Sequence, residues 1–210
     1  RAYLGKEYEK LIQVDIVCHG VPSPGVWRKY LREKTQDDEV GMINMREKSN
    51  GWNCFQQAYG MKSRLVCESQ TANLYFRGFN NNVYLRKSCY ECQYKTMHRN
   101  TDFTLADYWG IHIHCPEMDD NRGTSLVFVH SPKGQLILSQ IKDGIKCKEQ
   151  HLPEAIEWNQ AMIHSVPLTL RRKDFFRVWK WLPFHKMAHW IDKDRLSVRI
   201  GRKLNKLIEK

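Results

Sequence analysis

A chain of 210 residues and 25.0 kDa, 41% hydrophobic, is large enough to bury a core as one domain with an appendage. It holds no apolar run near the ~20 residues that a spanning helix needs, and its opening, RAYLGKEYEK, lacks the pattern of a signal peptide. The net charge of +11 is unevenly placed: the last 40 residues carry 13 of the 34 Lys and Arg but only 4 of the 23 Asp and Glu, so the basicity is a property of the tail. Seven cysteines, an odd number with no export signal, argue for a reducing cytoplasmic setting and against a disulfide framework. The chain opens without Met and in mid-pattern, which reads as a fragment of a longer protein.

In chain order, residues 3–11 read as the end of an amphipathic helix. Residues 14–17, VDIV, predict a buried strand that runs into CHGVPSPG, where Gly and two prolines force a turn. Ser23 stands at the cap position of the next helix, residues 24–35, with Pro24 first and Trp27, Tyr30 and Leu31 on one face. Strands are expected at 40–46, 54–60 and 63–67 as a meander, and 73–79 reads as helix or strand before a loop at 80–82. Residues 103–105 predict a strand ending at Asp107-Tyr108-Trp109-Gly110, and 111–123 a loop. A strand at 124–130, a helix at 135–142, a strand at 146–150 and a helix at 153–162 follow. Beyond Pro167 the chain reads as helical and basic, with Trp179, Trp181, Phe184 and Trp190 set among Lys, Arg and His. The expected fold is α/β, a mixed β-sheet flanked by helices, with a domain at 1–165 and a basic helical extension at 166–210.

The stretch that organises the chain is SCYECQYKTMHRNTDFTLADYWG, residues 88–110. Cys89 and Cys92 form a C-x-x-C pair, which places two sulfurs on one metal centre without straining the backbone, a spacing shared by iron–sulfur clusters, zinc knuckles and redox dithiols. Cys18, where a strand ends in a Gly/Pro loop beside Gly20, is the best third ligand. His112, His114 and Cys115 form an H-x-H-C set that could complete a zinc site instead. Cys54, Cys67 and Cys147 lie in strand-like segments as core or surface residues. Arg46 and Lys48 before Gly51-Trp52 suit an anionic aromatic cofactor, the cations taking phosphate and the ring lying on Trp52, although a solvated hairpin has the same composition. Asp107 and Trp109 could shape a pocket or serve a turn. No G-x-G-x-x-G, Walker, G-x-S-x-G or H-E-x-x-H sequence is present, so P-loop and hydrolase readings have no footing.

These segments together resemble one family. VDIVCHGVPSP is similar to the D-x-x-C-H-G-x-P-S-P segment of the coenzyme F420 hydrogenase/dehydrogenase beta subunit family, C-terminal domain. Arg46-Glu47-Lys48 with Gly51-Trp52 resembles its R-[DE]-K-x-x-G-W, and Cys89 to Gly110 its C-x-x-C…S-D-[IF]-T-[LI]-G-D-[FY]-W-G, with Thr101 for Ser and Ala106 for Gly. Gly123-Thr124-Ser125 and Lys133-Gly134 resemble a later G-x-S…T-x-K-G. The similarity runs to about residue 142 and more weakly to 176. It implies an iron–sulfur flavoprotein in which Cys18, Cys89 and Cys92 hold a 4Fe–4S cluster, with a fourth cysteine expected upstream of residue 1. It further implies FAD, with Arg46, Lys48, Trp52, Asp107 and Trp109 near cofactor. A hydride donor or acceptor such as coenzyme F420 or a related small molecule, and a redox partner protein or ferredoxin-like module, would complete the path. The rival reading is a zinc-stabilised binding module whose basic, Trp-rich tail grips nucleic acid or another anionic partner. The residues favour the redox reading over nucleic acid.

Overall fold

The computed structural model describes residues 3–6 and 8–192. In chain order its elements are β1 (Val14–Ile16), α1 (Pro24–Thr35), β2 (Val40–Glu47), β3 (Gln56–Met61), β4 (Leu65–Ser69), α2 (Leu74–Asn80), β5 (Phe103–Asp107), α3 (Ile111–His114), β6 (Ser125–Val129), α4 (Pro132–Ile141), α5 (Leu152–Glu157), α6 (Arg171–Val178) and α7 (Ala188–Ile191). The expected α/β class holds, with the strands divided between two three-stranded sheets. The chain forms two compact units, one from Arg1–His19 and Cys92–Ser165, the other from Gly20–Glu91 and Val166–Lys210.

The first unit holds the mixed sheet β1-β5-β6, with β1 parallel and β6 antiparallel to β5. The register sets Val14 and Ile16 opposite Phe103 and Leu105, and these opposite Val129 and Val127, on one face. On that face Phe103 is buried, but Val14 is 51% exposed, Ile16 66%, Leu105 39% and Val127 42%. The expectation of a buried β1 is therefore corrected. Among the described residues this strand is an edge paired only with β5, and its alternation turns Asp15 toward the covered side, where Thr104 and Leu126 are buried. Asp15 meets Arg99 at 3.1 Å and accepts a hydrogen bond from Thr104 Oγ1, which also lies 2.8 Å from His130 Nε2. Tyr108, Ile111, Cys115, Leu126 and Ala155 form a small core on this side.

The start of β5 is pinned by polar groups. Buried Asp102 accepts from the Gln13 amide (2.8 Å) and from Ser131 Oγ (2.6 Å), with Lys133 Nζ at 3.6 Å. Ser131 also accepts from the Gly134 amide at 3.0 Å and so caps α4. A Cβ at Gly134 would stand 2.7 Å from the Asp102 carbonyl oxygen, which explains glycine there.

The second unit packs the antiparallel meander β2-β3-β4 with α1, α2, α6 and α7 around an aromatic core. Tyr30 and Tyr75 stack at 4.9 Å, Tyr75 and Tyr84 at 5.4 Å, and Phe175 and Phe184 close on them. The phenols of Tyr30 and Tyr59 find partners in each other and in Asn73, and that of Tyr84 in the Tyr75 carbonyl. Asn73 Nδ2 donates to Tyr30 Oη (2.8 Å) and Glu68 Oε2 (2.9 Å), while Asn73 Oδ1 caps α2 by accepting from the Phe76 amide. Desolvation pushes the ionisation of Tyr30, Tyr75 and Tyr84 far above the usual phenol range and keeps them neutral. Residues after Val166 contribute Phe175, Phe184, Met187 and Ile191 to this core.

Helix α1 and the meander match expectation closely, and 73–79 resolves as α2. Other expectations are corrected. Residues 3–6 and 9–10 form turns rather than a helix end, with Gly5 at φ 66°. The expected loop at 111–123 contains α3 and a 3-10 turn at Pro116–Met118. Residues 146–150 are not a strand. Lys148 is drawn to Glu117 and Gln150 to the Tyr108 hydroxyl, so their polar groups leave the sheet. The expected helix at 153–162 is shorter, α5 followed by a 3-10 turn at Gln160–Met162. Ser23 occupies the α1 N-cap, but its side chain makes no capping hydrogen bond. The part of the basic tail at 193–210 lies outside the described residues.

Candidate functional site

Cysteine 18 follows directly from β1. The Val17 amide donates to Leu105 O at 2.8 Å, extending the parallel ladder by one residue, and the chain then turns with the Cys18 thiol exposed. Lys95 Nζ donates to the Cys18 carbonyl and, at 2.6 Å, to the Ala161 carbonyl. In the same unit the Cys92 amide donates to Ser165 Oγ at 2.9 Å, and the Cys92 carbonyl accepts from the Lys95 amide at 3.3 Å, closing a turn. Arg99 spans Asp15 and the Met162 carbonyl (3.4 Å).

Cysteine 89 belongs to the second unit, at the end of a 3-10 turn, Lys87–Cys89. Its loop is fixed against the segment after Gly20. Pro22 bridges Leu85, the Arg86 amide donates to Val21 O (2.7 Å) and the Ser23 amide to Tyr84 O (2.7 Å). The Val21 amide donates to Cys89 Sγ at 3.3 Å. A backbone N–H aimed at sulfur orients the side chain within its loop. A Cβ at Gly20 would stand 2.7 Å from Leu85 Cδ1, so a side chain there would push against Leu85.

All seven cysteines are free thiols. Cys18 is exposed and Cys89 and Cys92 are half-buried, whereas Cys115 is buried. Burial first, then Glu117, pushes the Cys115 thiol up, which makes it a poor ligand at neutral pH. Nor are the residues of the H-x-H-C set gathered: His114 pairs with Glu157 at 3.0 Å, His112 lies on Trp158, and Cys115 donates to Glu117 at 3.3 Å. Among the described residues of either unit, no three His, Cys, Asp or Glu side chains are grouped as a ready metal site. Cys54, Cys67 and Cys147 are exposed.

Arg46, Lys48 and Trp52 do come together. The Arg46 guanidinium lies 4.3 Å from the Trp52 ring centroid and 4.8 Å from that of Phe55, and Lys48 Nζ lies 5.2 Å from Trp52. Glu47 shapes the loop by accepting from the Ser49 amide and hydroxyl and from Gln56 Nε2, each at 2.8 Å. Those bonds, Gln56 foremost, hold its carboxyl below the usual range. Gly51 at φ 87° completes the turn. The Trp52 ring is thus already a platform for two cations. Phe55, buried beneath Arg46, is a member that its place in the strand expected at 54–60 concealed.

In the first unit, Asp107 ends β5 on the same face as Leu105, opposite Ser125. Trp109 is 41% exposed, and its amide donates to Asp107 O at 3.0 Å. Gly110 follows at φ 87°, and a Cβ there would stand 2.7 Å from Trp158 Cγ. Sequence reasoning missed Lys95, Arg99 and Ser165. The two cations sit in the basic run after Cys92 and could have been singled out; nothing local marks Ser165. A cavity of about 140 Å³ in the second unit, lined by Asn80, Asn81, Asn82, Pro167, Thr169 and Arg171, contains none of the expected site residues.

Fold and thiol placement define an α/β domain that offers free cysteines from tightly anchored loops. The family described as the C terminus of the coenzyme F420 hydrogenase/dehydrogenase beta subunit matches residues 3–155, and the chain belongs to it. It is a domain of that redox type, and among the described residues no helix is long and apolar enough to cross a membrane. No curated protein and no solved structure matches the chain significantly.

Proposed function

We propose that this domain is an iron–sulfur flavoprotein-type oxidoreductase module in which Cys18, Cys89 and Cys92 are thiolate ligands of a 4Fe–4S cluster. The observation that carries the reading is the anchoring of each cysteine. The Val21 amide points at Cys89 Sγ, Ser165 holds the Cys92 amide, and Lys95 holds the Cys18 carbonyl. Metal-ligand loops need such support, and amide hydrogen bonds to sulfur are one means by which a protein tunes a cluster. Thiols that are accessible and unpaired fit this donor chemistry; the buried Cys115 does not.

When bound, a cluster and FAD supply the one- and two-electron chemistry. The chain's residues bind and orient. Arg46 and Lys48, fixed on Trp52, present two cations to a phosphate or an anionic ring of FAD, coenzyme F420 or a related hydride substrate. Asp107 and Trp109, beside the open apolar face of Val14, Ile16, Leu105 and Val127, shape a surface suited to a flat ring. A redox partner protein in the cytoplasm would exchange electrons with the module. The zinc-dependent nucleic-acid reading has less support, because the tail residues Trp179 and Trp190 pack against the aromatic core.

Anaerobic purification and reconstitution with iron and sulfide tests this reading. Broad visible absorption, with iron, sulfide and flavin in fixed ratio to protein, is the expected result. Colourless protein carrying stoichiometric zinc would contradict it.

A further inference from the structure

Three of the hydrogen bonds that fix the first unit's cysteine loops end on one short segment, residues 159–165, beyond the family match at 3–155. This segment is well fixed. Asn159 is buried and donates to Ala155 O at 3.0 Å, the Met162 amide donates to Asn159 O at 2.8 Å, and Met162 is fully buried. It offers three acceptors to the cysteine side of the unit: Ala161 O to Lys95 Nζ, Met162 O to Arg99 Nη2, and Ser165 Oγ to the Cys92 amide. Each cation reaches on to the other cysteine's strand. Lys95 binds the Cys18 carbonyl, and Arg99 binds Asp15, three residues before Cys18.

We infer that residues 159–165 form a positioning brace that sets Cys18 and Cys92 for metal, with Lys95 as its charged pin. The inference rests on the proposal that these cysteines are ligands. A ligand set has to be held to about 0.5 Å, and loops alone do not hold it. Two bridging cations and one hydroxyl do so here through backbone atoms and the Asp15 carboxylate, so the side chains of Cys18 and Cys92 stay free to bind. Lys95 also places a positive charge on the backbone of a ligand. A cation there stabilises the more negative, reduced state of whatever that ligand holds and raises its potential.

The test uses the whole chain with Ser165→Ala, Ser165→Thr, Lys95→Met and Lys95→Arg. Amide exchange on metal-free protein and the midpoint potential of reconstituted protein are the two readouts. Ser165→Ala is expected to speed exchange at the Cys92 amide about fivefold, with rescue by Thr. Lys95→Met is expected to shift the midpoint potential down, while Lys95→Arg keeps it near wild type. Unchanged exchange at Cys92 in Ser165→Ala, or equal potentials in the Met and Arg variants, would overturn the brace in a chain that takes up iron. A wild-type chain that takes up no iron fails the ligand reading itself, and then an exchange effect reports a purely structural contact and overturns the positioning role.

Discussion

The two units reach stability by different means. The second buries four tyrosines, Phe175 and Phe184 in a stacked aromatic core and partners the Tyr30 and Tyr59 phenols through Asn73. The first has a five-residue core and leaves four apolar side chains of its sheet in the open. It is held at its edges by polar pins: Asp15 with Arg99 and Thr104, and Asp102 with Gln13, Ser131 and Lys133. Polar pins fix backbone positions one at a time, which suits a unit that must present loops. Aromatic packing fixes a whole body, which suits a scaffold.

The largest effect expected on this contrast comes from the second unit. Phe175→Ala should cost about 4 kcal/mol through the cavity it leaves among Tyr84 and Phe176, read by denaturant unfolding of that unit's helices. In the first unit, Asp15→Asn should cost about 3 kcal/mol, because it strands the nearly buried Arg99 guanidinium. Faster amide exchange across β1 and β5 would register it. A loss below ~1 kcal/mol would show that the pins matter less than the small core.

Capping gives a smaller, paired comparison. Asn73→Ala removes the α2 cap and a buried donor to Tyr30 and should cost about 2 kcal/mol. Ser23→Ala removes no capping bond and should stay within about 0.3 kcal/mol in the same thermal or denaturant assay. The smallest effect is one of pH. Ser131 first, then the Gln13 amide and Lys133, hold the Asp102 carboxyl below its ordinary 3.8. A depressed carboxyl pKa contributes stability above the unfolded value, and that stability is lost as pH falls through the folded value. Between about pH 5 and about pH 2 the wild type should therefore lose more stability than Asp102→Asn; parallel acid curves would remove Asp102 from the pins.

Where propensity, capping position and alternation agree, the sequence is readable: α1 with Pro24 and the meander follow from local chemistry, whereas 73–79 stays open between helix and strand until the fold decides it. The misreadings share a cause. Val14 and Ile16 have the composition of a buried strand, but burial depends on what covers a face, and here the charged Asp15 takes the covered side. Residues 146–150 alternate like a strand, yet Lys148 and Gln150 find partners at Glu117 and Tyr108 that no local rule reveals. The site divides the same way. Cysteine spacing and the cations before Trp52 are visible along the chain, whereas Phe55 under Arg46 and Ser165 on the Cys92 amide are products of tertiary contact.

Of seven free thiols, three are proposed as ligands. Iron and acid-labile sulfide per chain, measured after anaerobic reconstitution of seven single Cys→Ser variants, tests that proposal most directly. Loss of both in the variants at Cys18, Cys89 and Cys92, with retention in those at Cys54, Cys67, Cys115 and Cys147, is the predicted result. Full retention in any of the first three, or loss spread equally over all seven, would contradict it.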